Sequence, residues 1–114
     1  MPVVKDFVEQ ATKGGLTQQQ IEGGISSAGW GFAALFAKAL ELSPKVERAE
    51  IMNTLFSLKN AQFGLVRDGI TVNTDGAKDA WGIEGFRIVQ RDGDTWKQVQ
   101  DIVNYEGQSN SFAG

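Results

Sequence analysis

The side chains available for chemistry are carboxylates, lysines, arginines, hydroxyls and one tyrosine, because the 114-residue chain has no histidine and no cysteine. Histidine is the only side chain that titrates near neutral pH without help, and cysteine is the readiest nucleophile and a soft metal ligand. Their absence removes Ser-His-Asp and Cys-His catalysis, zinc sites and disulfides. The carboxylates fall in close pairs: Asp75 and Asp79 are four apart, and Asp92 and Asp94 flank Gly93. Acid–base catalysis by such a pair needs two carboxyls across a cleft, one of them desolvated. Carboxylates on tight turns are normally solvated. Asn73-x-Asp75-Gly76-x-x-Asp79 matches the middle of an EF-hand loop, yet Thr71 and Gly82 stand where the first Asp and the bidentate Glu belong. That segment reads as a hairpin turn. No phosphate-binding glycine pattern occurs, and Gly29-Trp30-Gly31 offers one amide step that serves better to pack Trp30 against close backbone. No catalytic residue, metal or cofactor is assigned.

Charge narrows the partners. Residues 1–60 carry six basic and six acidic side chains, and residues 61–114 carry five and eight, for a net charge of −3. A nucleic-acid footprint needs a basic stripe, which is missing. Gly15-Leu16-Thr17-Gln18-Gln19-Gln20-Ile21 resembles the opening of repressor-type helix-turn-helix units. The likeness breaks at Glu22 and Gly23-Gly24, and the helix that would read bases is apolar. The expectation is no nucleic acid. Trp81, Trp96 and Tyr105 either form a stacking platform for sugars or bases or belong to a small core. The N-terminus has Lys5, Asp6 and Glu9 and no apolar h-region, and the apolar run over 30–37 is too short to span a bilayer. A protein made in the cytoplasm, with no membrane contact, is expected.

The elements that must position these residues change character near residue 61. Val4, Phe7, Val8 and Ala11 lie on one helix face, which Gly14-Gly15 ends. Thr17 and Gln20 form a capping box for a second helix. Helices are expected at about 3–13, 18–25, 29–42 and 44–60. The third is apolar all round: Trp30, Phe32, Leu35, Phe36, Leu40 and Leu42 surround its axis. Such a helix wants burial on every side, either by the domain wrapping it or by one face meeting another subunit. Ser43-Pro44 reads as the start of the fourth helix, with Val46, Ala49, Met52, Leu55 and Phe56 as its apolar face. Three Asp-Gly steps at 68–69, 75–76 and 92–93 mark type I′ hairpin turns. They divide strands near 63–67, 70–74, 82–90 and 95–105, the last of which also fits a helix face. The chain thus reads as α+β: N-terminal helices packed on a C-terminal antiparallel meander over about 63–105, one domain over 1–106, and a flexible tail at 107–114.

Thr95-Trp96-Lys97-Gln98-Val99-Gln100-Asp101-Ile102 holds the pattern Trp-Lys-x-Val-x-x-Ile after a Gly-containing turn. This resembles β segments recurring in bacteriophage tail, fibre and other virion proteins, and the resemblance implies a virion structural subunit. It covers only 95–102 and assigns no residue roles. The composition suits such a role, because a building block needs no histidine or cysteine. The expected function is a non-enzymatic assembly subunit of a phage-like particle, meeting copies of itself or neighbouring subunits. Trp30, Phe32, Phe36, Trp96, Tyr105 and Phe112 are the candidate core or contact residues. Two rivals stand beside it. One is a monomeric module that captures a host protein. The other is a small enzyme using Tyr105 with Asp75, Asp79, Glu84, Asp92 or Asp101.

Overall fold

Glycines and hydroxyls cut the first half of the chain into helices. In the computed structural model, which describes residues 2–76, 78, 79 and 81–108, α1 spans Pro2–Lys13, α2 Gln18–Glu22, α3 Ile25–Leu42 and α4 Arg48–Leu55. α1 ends in a Schellman motif: Gly15 sits at φ +85°, and the N–H groups of Gly15 and Leu16 donate to Thr12 and Ala11 carbonyls. Phe7 and Ala11 are its buried residues, while Val4 and Val8 face outward. The expected capping box is present at α2, with the Gln20 N–H donating to Thr17 Oγ1 and the Thr17 N–H to Gln20 Oε1.

α3 begins four residues earlier than the spacing predicts. α2 stops at Glu22, short of the expected 25, because Gly23 closes it and Gly24, at φ +81°, turns the chain into α3, while Gly29 and Gly31 continue the helix. α4 is shorter than expected at both ends. Ser43 is extended, as a residue before proline prefers, and its N–H donates to the Ala39 carbonyl, so it closes α3. Its hydroxyl donates to the Lys45 carbonyl and caps nothing. The far end of α4 is fastened by Thr74, whose Oγ1 donates to the Leu55 carbonyl and accepts from the Leu58 N–H.

The expected strands at 63–67 and 70–74 do not form. This stretch is a loop held by one antiparallel bridge, Ala61 to Val72. The Arg67-to-Ile70 turn has Gly69 at φ +82° and Asp68 at negative φ, which is not the type I′ geometry that would align two strands. The remaining strands are β1 Gly85–Phe86, β2 Val89–Asp92, β3 Thr95–Gln98 and β4 Val103–Asn104. They do not run as a four-strand meander. β1 pairs with β4 and β2 with β3, all antiparallel. Together they form one long hairpin whose return arm is irregular over 99–102, where the Val99 N–H still reaches the Ile88 carbonyl. Its two-residue loop is Gly93-Asp94, one residue beyond the expected Asp-Gly pair, with only Gly93 at positive φ. The 95–105 segment is therefore extended, not helical.

The core is divided. Phe7, Ala11 and Ile21 form one cluster, joined by Leu16, Trp30 and Leu65. Leu58, Ala61 and Val72 form the other, joined by Leu35, Phe63 and Val66. No helix packs directly on a strand among the described residues. The helices meet the C-terminal half through the loop at 58–74, on which Gly85 and Ile102 sit against Ile70 and Gly69. β2 and β3 are exposed along their whole length. Asp92 and Lys97 pair across them, a surface contact of little energetic weight. The chain exposes 8333 Å² of surface, against about 6,100 Å² for a folded monomer of this size. Its radius of gyration is 16.2 Å, where about 13 Å is usual.

Gly64 is the closest joint between α3 and this loop. It sits at φ +52°, and a Cβ there would lie 2.8 Å from the Ala34 Cβ. Gly64→Ala should lower stability by about 2–3 kcal/mol, adding a clash to the left-handed strain. Gly76→Ala, at φ +54° in open space, should cost only the strain, about 1 kcal/mol. Urea midpoints of the two variants check the difference.

Candidate functional site

α3 carries an apolar face that no described residue covers. Ile25, Gly29, Phe32 and Phe36 recur at spacings of four, three and four, so they lie on one side of the helix. Ile25 is 86% exposed, Phe32 72% and Phe36 53%. Of the two ways to satisfy an all-round apolar helix, the structure shows the face left open. Other sides are used: Trp30, on the far side, meets Phe7 edge-to-face with centroids 5.6 Å apart, and Leu35, beside the face, joins the second cluster. The open stripe ends at Ala39, seven residues after Phe32 and fully buried.

Beside this face runs a groove of about 570 Å³, lined by Ala28, Gly31, Phe32, Leu35 and Val66 and by Trp81 and Ile83. Phe32 borders both the groove and the open helix face. Trp81 and Ile83 are about half exposed on its rim, so the uncovered apolar surface continues from α3 onto the 81–83 segment. Contiguous exposed apolar side chains of this kind are what interaction surfaces are built from.

The sequence-predicted contact residues divide. Trp30 is a core residue. Phe32 and Phe36 share the open face. Trp96 is 67% exposed on β3, opposite Arg91, and borders a separate hollow with Phe86, Val89 and Ile70. Tyr105 packs edge-to-face on Phe86 at 6.2 Å. Trp81, Trp96 and Tyr105 thus do not line one cavity. Phe112 lies outside the described residues, as does the tail beyond 108. Gly107 and Gln108 are tied down, their N–H groups donating to Glu84 Oε2 and the Tyr105 carbonyl.

Sequence reasoning missed Ile25, Trp81 and Ile83 as parts of a surface. Ile25 directly follows Gly23-Gly24, which read as the end of the second helix, although it extends the four-three-four spacing. Trp81 and Ile83 come to α3 only through the loop at 58–74. Sequence reasoning also missed a grouping of Asp79, Glu84 and Glu106, whose carboxylate oxygens lie within 4.8 Å of one another. Oxygen donors of this kind suit a hard cation. Here each has a structural task. Glu84, 3% exposed, accepts the Gly107 N–H, Asp79 accepts the Trp81 N–H, and Glu106 accepts from Asn73 Nδ2. Asn73 is itself buried, and its Oδ1 accepts the Asn60 N–H at 2.7 Å. Asp75, Asp92, Asp94 and Asp101 lie apart on the surface. Asp75 and Asp79 of the calcium-like pattern close a turn through their backbones. No described helix is long and apolar enough to cross a membrane.

Trp30 and Phe32, two residues apart, should behave oppositely. Trp30→Ala should cost about 2–3 kcal/mol, somewhat below a fully buried aromatic. Phe32→Ser should leave the melting temperature of dilute protein within about 2 °C, as surface changes usually do, and should reduce binding of an apolar fluorescent dye. Melting curves and dye titrations on both variants measure this.

No protein-family model, curated protein or solved structure matches this chain.

Proposed function

We propose that this protein is a non-enzymatic assembly subunit, a building block of a phage-like particle whose α3 surface meets another protein chain. The open α3 face carries the reading. Leaving Ile25, Phe32, Phe36, Trp81 and Ile83 in water forfeits apolar burial of about 25 cal/mol per Å². A second chain recovers that burial.

Three further features support it. The surface is larger than a closed monomer of this length needs. The core is split into two small clusters, which favours a chain that gains stability on association. The exposed hairpin carries the Trp96-Lys97-x-Val99-x-x-Ile102 pattern that resembles virion β segments, and it stands clear of the helices. The chain lacks the two residue types on which neutral-pH acid–base and thiol chemistry most rely.

Light scattering over a concentration series tests the reading. The mass should rise above that of one chain as concentration increases, and more steeply in sulfate, which strengthens apolar association. A mass fixed at one chain up to millimolar concentration, with or without sulfate, contradicts it.

A further inference from the structure

Gly29 has no use within the chain that the described residues reveal, whereas Gly31 lines the groove where the loop comes close, its Cα 3.7 Å from where a Gly64 Cβ would lie. A Cβ at either would meet no atom within 4 Å. Glycine inside a helix costs about 1 kcal/mol relative to alanine. Gly29 also lies on the open stripe, between Ile25 and Phe32. A helix that keeps a gap between two large exposed side chains has the relief of a knob-and-hole seam.

The stripe is complementary to itself in one direction only. Laid antiparallel on a second copy and centred between Trp30 and Gly31, it sets Phe32 opposite Gly29 and Phe36 opposite Ile25. Each large ring then meets a hole or a smaller side chain, and the contact is closed by a two-fold axis. Laid parallel and in register, the same stripe sets Gly29 against Gly29 and Phe32 against Phe32, leaving a void beside a clash. Antiparallel helices also oppose their dipoles favourably.

We propose that the occupant of the open face is a second copy of this chain, paired antiparallel along α3 with the Phe32 ring of each protomer seated over the Gly29 of its partner. The proposal rests on the assembly reading and specifies its contact. The chain as a whole exposes about 2,200 Å² more than a closed monomer of its size, part of it on the hairpin and part along α3, where Ile25, Phe32 and Phe36 are each more than half exposed. The seam runs on to the groove rim at Trp81 and Ile83, which flank Phe32 and enlarge the contact beyond the helices.

The absence of cysteine makes the register directly measurable. Gly29→Cys and Phe32→Cys chains are prepared separately, then mixed and oxidised, and the products are resolved by mass. Antiparallel pairing predicts that the mixed 29-to-32 disulfide exceeds both single-variant dimers several-fold. Gly29→Leu supplies the second arm. It fills the hole while improving helix propensity, so at concentrations where both are monomeric the variant should melt no lower than the parent, yet it should dimerise at least tenfold more weakly by light scattering. Dominant 29-to-29 and 32-to-32 disulfides, or unchanged association of Gly29→Leu, overturn the pairing and leave the assembly reading in place. A parent chain that stays monomeric throughout overturns both.

Discussion

α3 is a beam with apolar side chains on every side in a chain too short to enclose it. It sends Trp30 into the cluster built on Phe7 and Ile21, and Leu35 into the one built on Leu58 and Val72. Those two contacts consume the sides facing α1 and the loop at 58–74. Ala39, at the C-terminal end of the outer stripe, lies buried, so the stripe is open only as far as Phe36. The C-terminal residues are committed to a hairpin that projects away, and its middle strands cover nothing. The outer stripe of α3 is left to solvent. The division of the core, the large surface and the exposed phenylalanines all follow from this shortage of covering chain.

The loop at 58–74 replaces the layer that a sheet would otherwise provide. It has little regular structure, so its backbone groups are satisfied one at a time. Thr74 holds the end of α4, Asn73 reaches Asn60, Thr71 and Glu106, and its N–H reaches the Gly82 carbonyl. A buried residue that ties the two ends of its own loop to each other and to residues 82 and 106 specifies a geometry more than it adds stability, because each unmade bond would leave a polar group dry. The carboxylates of Asp79, Glu84 and Glu106 belong to the same clasp. They fix the base of the hairpin and so set where Trp81 and Ile83 stand beside α3.

Local signals in the sequence were legible where the structure is local. The Thr17–Gln20 capping box, the Gly15 stop and the α+β order are all present as the residues indicate. Helix ends were less legible where a residue had two uses. Ser43-Pro44 carries the marks of an N-cap, yet it closes the preceding helix. Gly29-Trp30-Gly31 reads as the opening of a helix, yet it sits inside α3. Asp68-Gly69 writes a hairpin turn, but Asp68 stays at negative φ and no ladder forms. Of the contact residues, Phe32 and Phe36 were legible from the excess of apolar positions around the helix. Trp30 was not separable from them, because periodicity gives the faces but not which one is covered. Trp81 and Ile83 were beyond reach, since a long-range loop brings them to α3.

The account stands on water being excluded from the outer stripe of α3 when chains meet. Amide hydrogen exchange, followed by mass spectrometry at increasing protein concentration, locates that event directly. The account predicts that exchange over 25–37 slows as concentration rises, while exchange over β2 and β3 stays constant. Exchange over 25–37 that is independent of concentration, or slowing confined to the hairpin, would contradict it.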